Sequence, residues 1–218
     1  MRMFVAFVAV GLFGNCVAQA ANIALNAPII NVSSSGTFGP AYLVDNVVDG
    51  AGVTTPQLGV SASEVFQDGS YWLNDTTGSE FFILNLGAPM AIGQIRIANT
   101  SSGTQNDRRG LTFEVRASNT INGSNLLVSP TTLLANQSLS IPVNGAITFD
   151  VFNPSGASLG SYQYIEYHQL TGGGFGGGLN EFQIINAVPE PGSLILIGCA
   201  AIGFAAFARR RRTTGGIK

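Results

Sequence analysis

Two stretches of this chain, residues 92–98 and 111–117, alternate apolar and polar side chains with a period of two. Ile95 and Ile97 alternate with Gln94 and Arg96, and Phe113 and Val115 alternate with Thr112, Glu114 and Arg116. Successive side chains of a strand point to opposite faces, so this spacing buries one face and leaves the other wet. Glu114 and Arg116 then share an outer face. The same reasoning predicts strands at 81–86, 126–128, 138–143, 146–152, 162–170 and 179–185, with 22–26 opening the series. A short helical turn is predicted within 40–48, ending at the turn dipeptide Asp49-Gly50, and a long loop over 51–70. No stretch between the chain's two ends has sustained helical spacing. Many short strands separated by Gly, Asn, Pro and Ser clusters predict an all-β sandwich or barrel.

Residues 172–178 are mostly glycine around Phe175, which predicts a wide, flexible surface loop before the last strand. The segment lacks the Lys-Ser/Thr pair of a phosphate loop and leads into a strand. Both cysteines, Cys16 and Cys199, lie near the ends of the chain, so the body between them has no disulfide, thiolate metal site or cysteine nucleophile. Its stability must come from an ordinary core, and its length suits one domain. The whole chain has a net charge of −2, but residues 21–189 hold 11 acidic residues against 4 arginines, a net −7. So acidic a body is a poor nucleic-acid partner, because that affinity comes largely from neutralised phosphates.

Both ends carry transport signals. Arg2, the apolar run 3–13 and the small-x-small site Ala18-Gln19-Ala20 form a secretory signal peptide, with Ala21 left as the first mature residue. Asn15 before Cys16 breaks a lipoprotein pattern. At the other end stand Val188-Pro189-Glu190-Pro191-Gly192, an uncharged apolar run over 193–208, then Arg209, Arg210, Arg211 and Arg212. As a helix the run spans about 24 Å, slightly short of a ~30 Å hydrocarbon core, with its arginines on the cytoplasmic side. The three parts in this order resemble the PEP-CTERM sorting signal of Gram-negative bacteria. That resemblance implies transient anchoring in the inner membrane, processing by an exosortase after signal peptidase has acted, and delivery to the cell surface or extracellular matrix. The chain thus divides into a signal peptide (1–20), a β-sandwich (21–187), a sorting signal with a transmembrane helix (188–212) and a cytoplasmic tail (213–218).

The body resembles the galactose-binding-like jelly-roll domains, the group of discoidin and coagulation-factor C-type modules and fucose lectins. Asn22-Ile23-Ala24-Leu25-Asn26-Ala27-Pro28, Asn46-Val47-Val48-Asp49-Gly50, Phe82-Ile83-Leu84-Asn85-Leu86-Gly87, Ile92-Gly93-Gln94-Ile95-Arg96-Ile97, Phe113-Glu114-Val115 and Leu179-Asn180-Glu181-Phe182-Gln183-Ile184 match family segments in family order. The tryptophan that usually follows the Asp-Gly turn comes late, at Trp72, and the cysteine pair of animal members is absent. The resemblance implies a structural calcium held by the carboxylates of Asp49 and Glu181, with oxygens from Asn46 and Thr54, since calcium takes six to eight hard oxygen donors. It also implies a carbohydrate site. Sugar sites join an aromatic platform to polar groups, and the candidates are Trp72 and Tyr71 with Asn106, Arg108 and Arg109. The fucose-lectin spacing of His followed by Arg-x-Asp is absent.

Catalysis has little support. His168 is the only histidine, two residues from Glu166 on one strand face, and no nucleophile motif accompanies the pair. The reading is an exported protein with a non-catalytic domain binding extracellular polysaccharide. The alternatives are a structural matrix protein without sugar binding and, further off, a secreted polysaccharide-cleaving enzyme.

Overall fold

The computed structural model describes residues 20–33, 37, 39–40, 42–50, 71–75, 78–100, 108–140, 149–174 and 176–188. Ala20–Ala187 form one compact unit. No helix among the described residues is long and apolar enough to cross a membrane; the apolar run 193–208 lies outside them.

The body is an antiparallel β-sandwich of the jelly-roll kind. Its strands are β1 (Ile29–Val32), β2 (Trp72–Leu73), β3 (Glu80–Asn99), β4 (Gly110–Ser118), β5 (Thr131–Ser138), β6 (Phe149–Phe152), β7 (Ser161–Gly172) and β8 (Gly178–Asn186), with one 3-10 turn at Val44–Val47. The order β2-β8-β3-β7-β4-β5 runs through both layers, and β1 and β6 add to β3. The long strand β3 belongs to both. Its first half pairs with β1 and β7 (Phe82 opposite Tyr167), and its second half with β6 and β8 (Ile97 opposite Phe182). Between them the register slips at Asn85/Met90 and again at Ile92/Gln94, and Gly87 takes φ +82°. A strand that changes layers needs such a bend. Residues 81–86 and 92–98, expected as two strands, are therefore one.

The core lies between the layers. Tyr167 stacks on Phe82 (5.3 Å, 21°) and on Phe113 (5.5 Å, 22°), with Trp72 and Phe182 edge-on around them. Offset and edge-on aromatic pairs each add about 0.5–1.5 kcal/mol beyond their burial. The alternation read in 111–117 is borne out: Phe113, Val115 and Ala117 are buried and Glu114 and Arg116 face outward.

Several expectations are corrected. Residues 22–26 form a bridge and turn, with Asn26 at φ +57°, not a strand. β1 and most of β5 were not foreseen, and 126–128 sit in a loop bridged from Leu127 to Ile121. Residues 51–70 lie outside the described part, as do 141–148 from the expected strands 138–143 and 146–152.

The glycine segment is the largest correction. Gly173 bridges Gly176, and Gly176, Gly177 and Gly178 are buried. A Cβ at Gly176 would overlap the Asn74 carbonyl oxygen, one at Gly177 the Gln169 amide, and one at Gly178 the Trp72 carbonyl oxygen. Gly176 and Gly178 allow close approach of backbone and Gly177 of a buried side-chain amide, which is not freedom of movement. Gly176 also has φ +112°. Gly176→Ala should cost about 2–4 kcal/mol in denaturant unfolding, from overlap plus strain. Gly123→Ala, with open space around it and no positive φ, should stay within about 0.5 kcal/mol of the parent. Equal effects would return the segment to a flexible loop.

Candidate functional site

One end of the sandwich gathers the segments around Tyr71, Arg108 and the glycine turn, and side-chain amides tie them together. Asn99, the last residue of β3, accepts from Thr100 N (2.9 Å) and Gly110 N (3.1 Å) and donates to the carbonyls of Gly110 and Ser140 (both 3.0 Å). It thereby holds both ends of the 100–110 connection. Thr100 Oγ1 donates to Asn180 Oδ1 (3.1 Å). Asn74 donates its N–H to the Gly177 carbonyl and accepts from Gly177 N, both at 2.9 Å. Gly173 N donates to the Arg109 carbonyl (2.8 Å). Buried backbone groups must find partners, and here polar side chains inside the fold supply many of them.

On this frame Tyr71 and Tyr42 lie with ring centroids 5.0 Å apart, tilted at 50°. Burial, with Tyr42 beside it, pushes the Tyr71 hydroxyl up to about 12, and Arg108 pulls the other way. Arg108 and Arg109 are half-buried. Of the expected sugar-binding residues, the structure brings Arg108 to Tyr71. Arg109 lies against the glycine turn, and Asn106 falls outside the described residues. Trp72 is corrected: it is wholly buried, edge-on to Phe82 (5.6 Å) and Tyr167 (6.5 Å), and offers no face to a ligand. Tyr42 was missed, because its closeness to Tyr71 is a property of the fold.

The expected calcium donors divide. Asn46, in the 3-10 turn packed beside β8, donates Nδ2 to the Tyr71 carbonyl (3.1 Å). Glu181 in β8 is fully buried, Asp49 is exposed, and Thr54 is outside the described residues. Among the described residues no three His, Cys, Asp or Glu form a group able to hold a metal.

The outer face of β3, β4 and β7 holds a second polar cluster. Register sets Glu114 opposite His168 and Arg116 opposite Glu166. Arg116 pairs with Glu166 through Nη2 and with Glu114 through Nε (3.2 Å), and its Nη2 also meets His168 Nδ1 at 2.5 Å. On the other side of the ring, His168 Nε2 lies 2.5 Å from Ser79 Oγ. Ser79, His168 and Glu114 (Oε1 3.2 Å from Nδ1) fall in the order of a hydrolase relay, with Arg116 Nη2 meeting the same ring nitrogen as Glu114. The cluster is centred on Arg116, which meets Glu114, Glu166 and His168.

Burial first and Arg116 second hold His168 below its usual 6.5. Burial pushes Glu166 above 4.5, with Arg116 opposing. The folded state therefore binds fewer protons at His168 than the unfolded chain does. Its contribution is complete above pH 6.5 and is lost as pH falls through the lower folded value. Glu166 has the opposite sign: its contribution is complete below pH 4.5 and is lost as pH rises through the raised value. Melting temperature should fall on acidification below pH 6.5 and fall less in His168→Gln. Identical acid limbs would remove His168 from the pH dependence.

The fold has solved relatives. A mutant of chitosan-binding module 1 from the chitosanase/glucanase of Paenibacillus sp. IK-5 superposes with a TM-score of 0.53 at 16% identity, covering 77% of this chain and 100% of the module. CpGH89CBM32-5 from Clostridium perfringens, solved with GalNAc-β-1,3-galactose, gives 0.51 at 14% identity over 76% and 99%. The fucolectin of striped bass (Morone saxatilis) serum gives 0.51 at 15% identity over 77% of this chain, which spans 49% of the fucolectin. Identities this low show shared fold alone. No protein with a curated description matches the sequence. The PEP-CTERM protein-sorting motif matches residues 187–212, the segment holding Val188, Pro189, Glu190, Pro191 and the four arginines. The body thus shares its jelly-roll fold with the chitosan-binding module, the CBM32 module and the fucolectin, and residues 187–212 match the PEP-CTERM protein-sorting motif.

Proposed function

We propose that this chain is exported, processed at its sorting motif by an exosortase, and displayed at the cell surface or in the extracellular matrix, where it binds polysaccharide without cleaving it. The observation that carries the reading is the loop end, where half-buried Arg108 meets Tyr71, itself fully buried, with the half-buried ring of Tyr42 beside it, on a frame held by Asn99, Asn74 and the glycine turn. A guanidinium beside aromatic rings can bind sugar hydroxyls or a carboxylate-bearing sugar, and a frame already ordered spares the ligand that entropy. The solved relatives support the choice, since their names record binding to chitosan and to a galactose-containing disaccharide.

Calcium belongs to the proposal. Asp49 and Glu181 would give carboxylate oxygens, with Asn46 and Thr54 adding neutral ones, and the 3-10 turn of Asn46 packs beside the strand of Glu181. The ion would supply a cross-link between that loop and β8.

The exported protein should bind one or more bacterial polysaccharides saturably, with a higher melting temperature in calcium than in chelator. Arg108→Ala should weaken binding by about tenfold or more, as expected for a charge-assisted hydrogen bond, with the fold intact by circular dichroism. Absence of binding from folded protein in either condition would favour the structural matrix role. Turnover of the polysaccharide would make it an enzyme.

A further inference from the structure

We propose that the α-ammonium left on Ala21 by the signal-peptide cut read from the sequence is captured by Asn186, sealing the last strand directly in front of the sorting motif. The inference rests on the exported reading above. The backbone nitrogen of Ala21 lies 2.5 Å from Asn186 Oδ1, and Asn186 N donates back to the Ala21 carbonyl (3.1 Å). Ile23 N donates to the Ile184 carbonyl (2.8 Å), Ile184 N donates to Asn22 Oδ1 (3.2 Å), and Asn22 bridges Ile185. Residues 21–23 thus cover an edge of β8, a row of donors and acceptors that would otherwise invite pairing with another chain. On the other edge, Ile92 pairs with Asn186, and Ala187 N donates to the Ala91 carbonyl (2.9 Å). The stitched chain stops there, two residues before Pro189.

The compact unit begins at Ala20, Ala21 is exposed and Ala24 is buried. In the sequence Ala18 and Ala20 are the small residues a signal peptidase accepts. In the hydrolysis, water adds to the Ala20 carbonyl carbon and the C–N bond breaks. Ala20 departs as a carboxylate on the leader, and the Ala21 nitrogen takes up protons as an ammonium. An ammonium donates to an amide oxygen more strongly than a peptide N–H does. In the folded body both the N–H and the carbonyl of Ala21 are engaged, so it cannot lie extended in a peptidase cleft. The cut therefore precedes docking, which chain order permits because β8 is made last.

The test expresses the full chain in a Gram-negative host with an exosortase, purifies the exported protein, determines its N-terminal residue and times aminopeptidase trimming. The native protein should begin at Ala21 and resist trimming. Asn186→Leu should be trimmed about tenfold faster, from loss of one charge-assisted bond. Asn186→Asp, which keeps the acceptor and adds charge, should resist at least as well as the parent. A different first residue, a leucine variant trimmed at the parent's rate, or an aspartate variant trimmed faster than the parent would each overturn the proposal. Should the leucine variant fail to accumulate, the first residue and the aspartate variant still decide. Polysaccharide binding by the same native sample judges the functional reading separately.

Discussion

The body depends on β3 changing layers. In its first half the even residues Phe82 and Leu84 face the core, and in its second half the odd residues Ile95 and Ile97 do. A strand cannot reverse its facing residues without a slip in register, and the slips at Asn85/Met90 and Ile92/Gln94 supply it. Both ends of the body's functional frame touch this strand. Its last residue, Asn99, anchors the loop end, and its middle, at Ala91 and Ile92, lies against Asn186 and Ala187 where the sorting motif begins.

At the loop end the interior is polar. Asn74, Asn99, Thr100, Gln169 and Asn180 are buried there, beside the glycine turn. Connections covered by protein cannot leave their amides and carbonyls to water, so side-chain amides stand in for it. Close approach of backbone and of the Gln169 amide is the second requirement, and it explains why three consecutive buried residues are glycine. The same frame orders Arg108 against the buried Tyr71, so rigidity beneath the surface and chemistry at the half-buried Arg108 share one cause.

How legible this was depended on the kind of signal. Strands buried on one face could be read, as Phe113, Val115 and their polar neighbours illustrate. β5 could not, because Thr131–Ser138 is a sheet-edge strand whose side chains are largely exposed and carry no alternation. Trp72 was misassigned because distance along the chain from a turn does not say which side of a strand faces in. The glycine turn was misread for a related reason: composition does not distinguish freedom of backbone from the need for close contact. Glu114, two residues from Arg116 on β4, was legible, but Glu166 reaches Arg116 from β7 and Tyr42 and Tyr71 come from separate loops, so those partners were visible only in the fold. The sorting motif was legible without any fold, since its prolines, apolar run and arginines are contiguous.

Without cysteines, the body must hold its distant segments by other means. Closing a longer loop costs only slightly more entropy than closing a shorter one, so separation in sequence is no great obstacle; geometry is. Two devices meet it. The rings around Tyr167 join β7 to β2, β3, β4 and β8 through contacts too short-ranged to survive a register error. The seam of Ala21–Ile23 on Ile184–Asn186 joins residues 165 apart with several hydrogen bonds, each modest alone. A disulfide would lock the ends once. A hydrogen-bonded seam forms only when β8 is in register, so order at residues 21–23 reports that the strand leading to the sorting motif has folded.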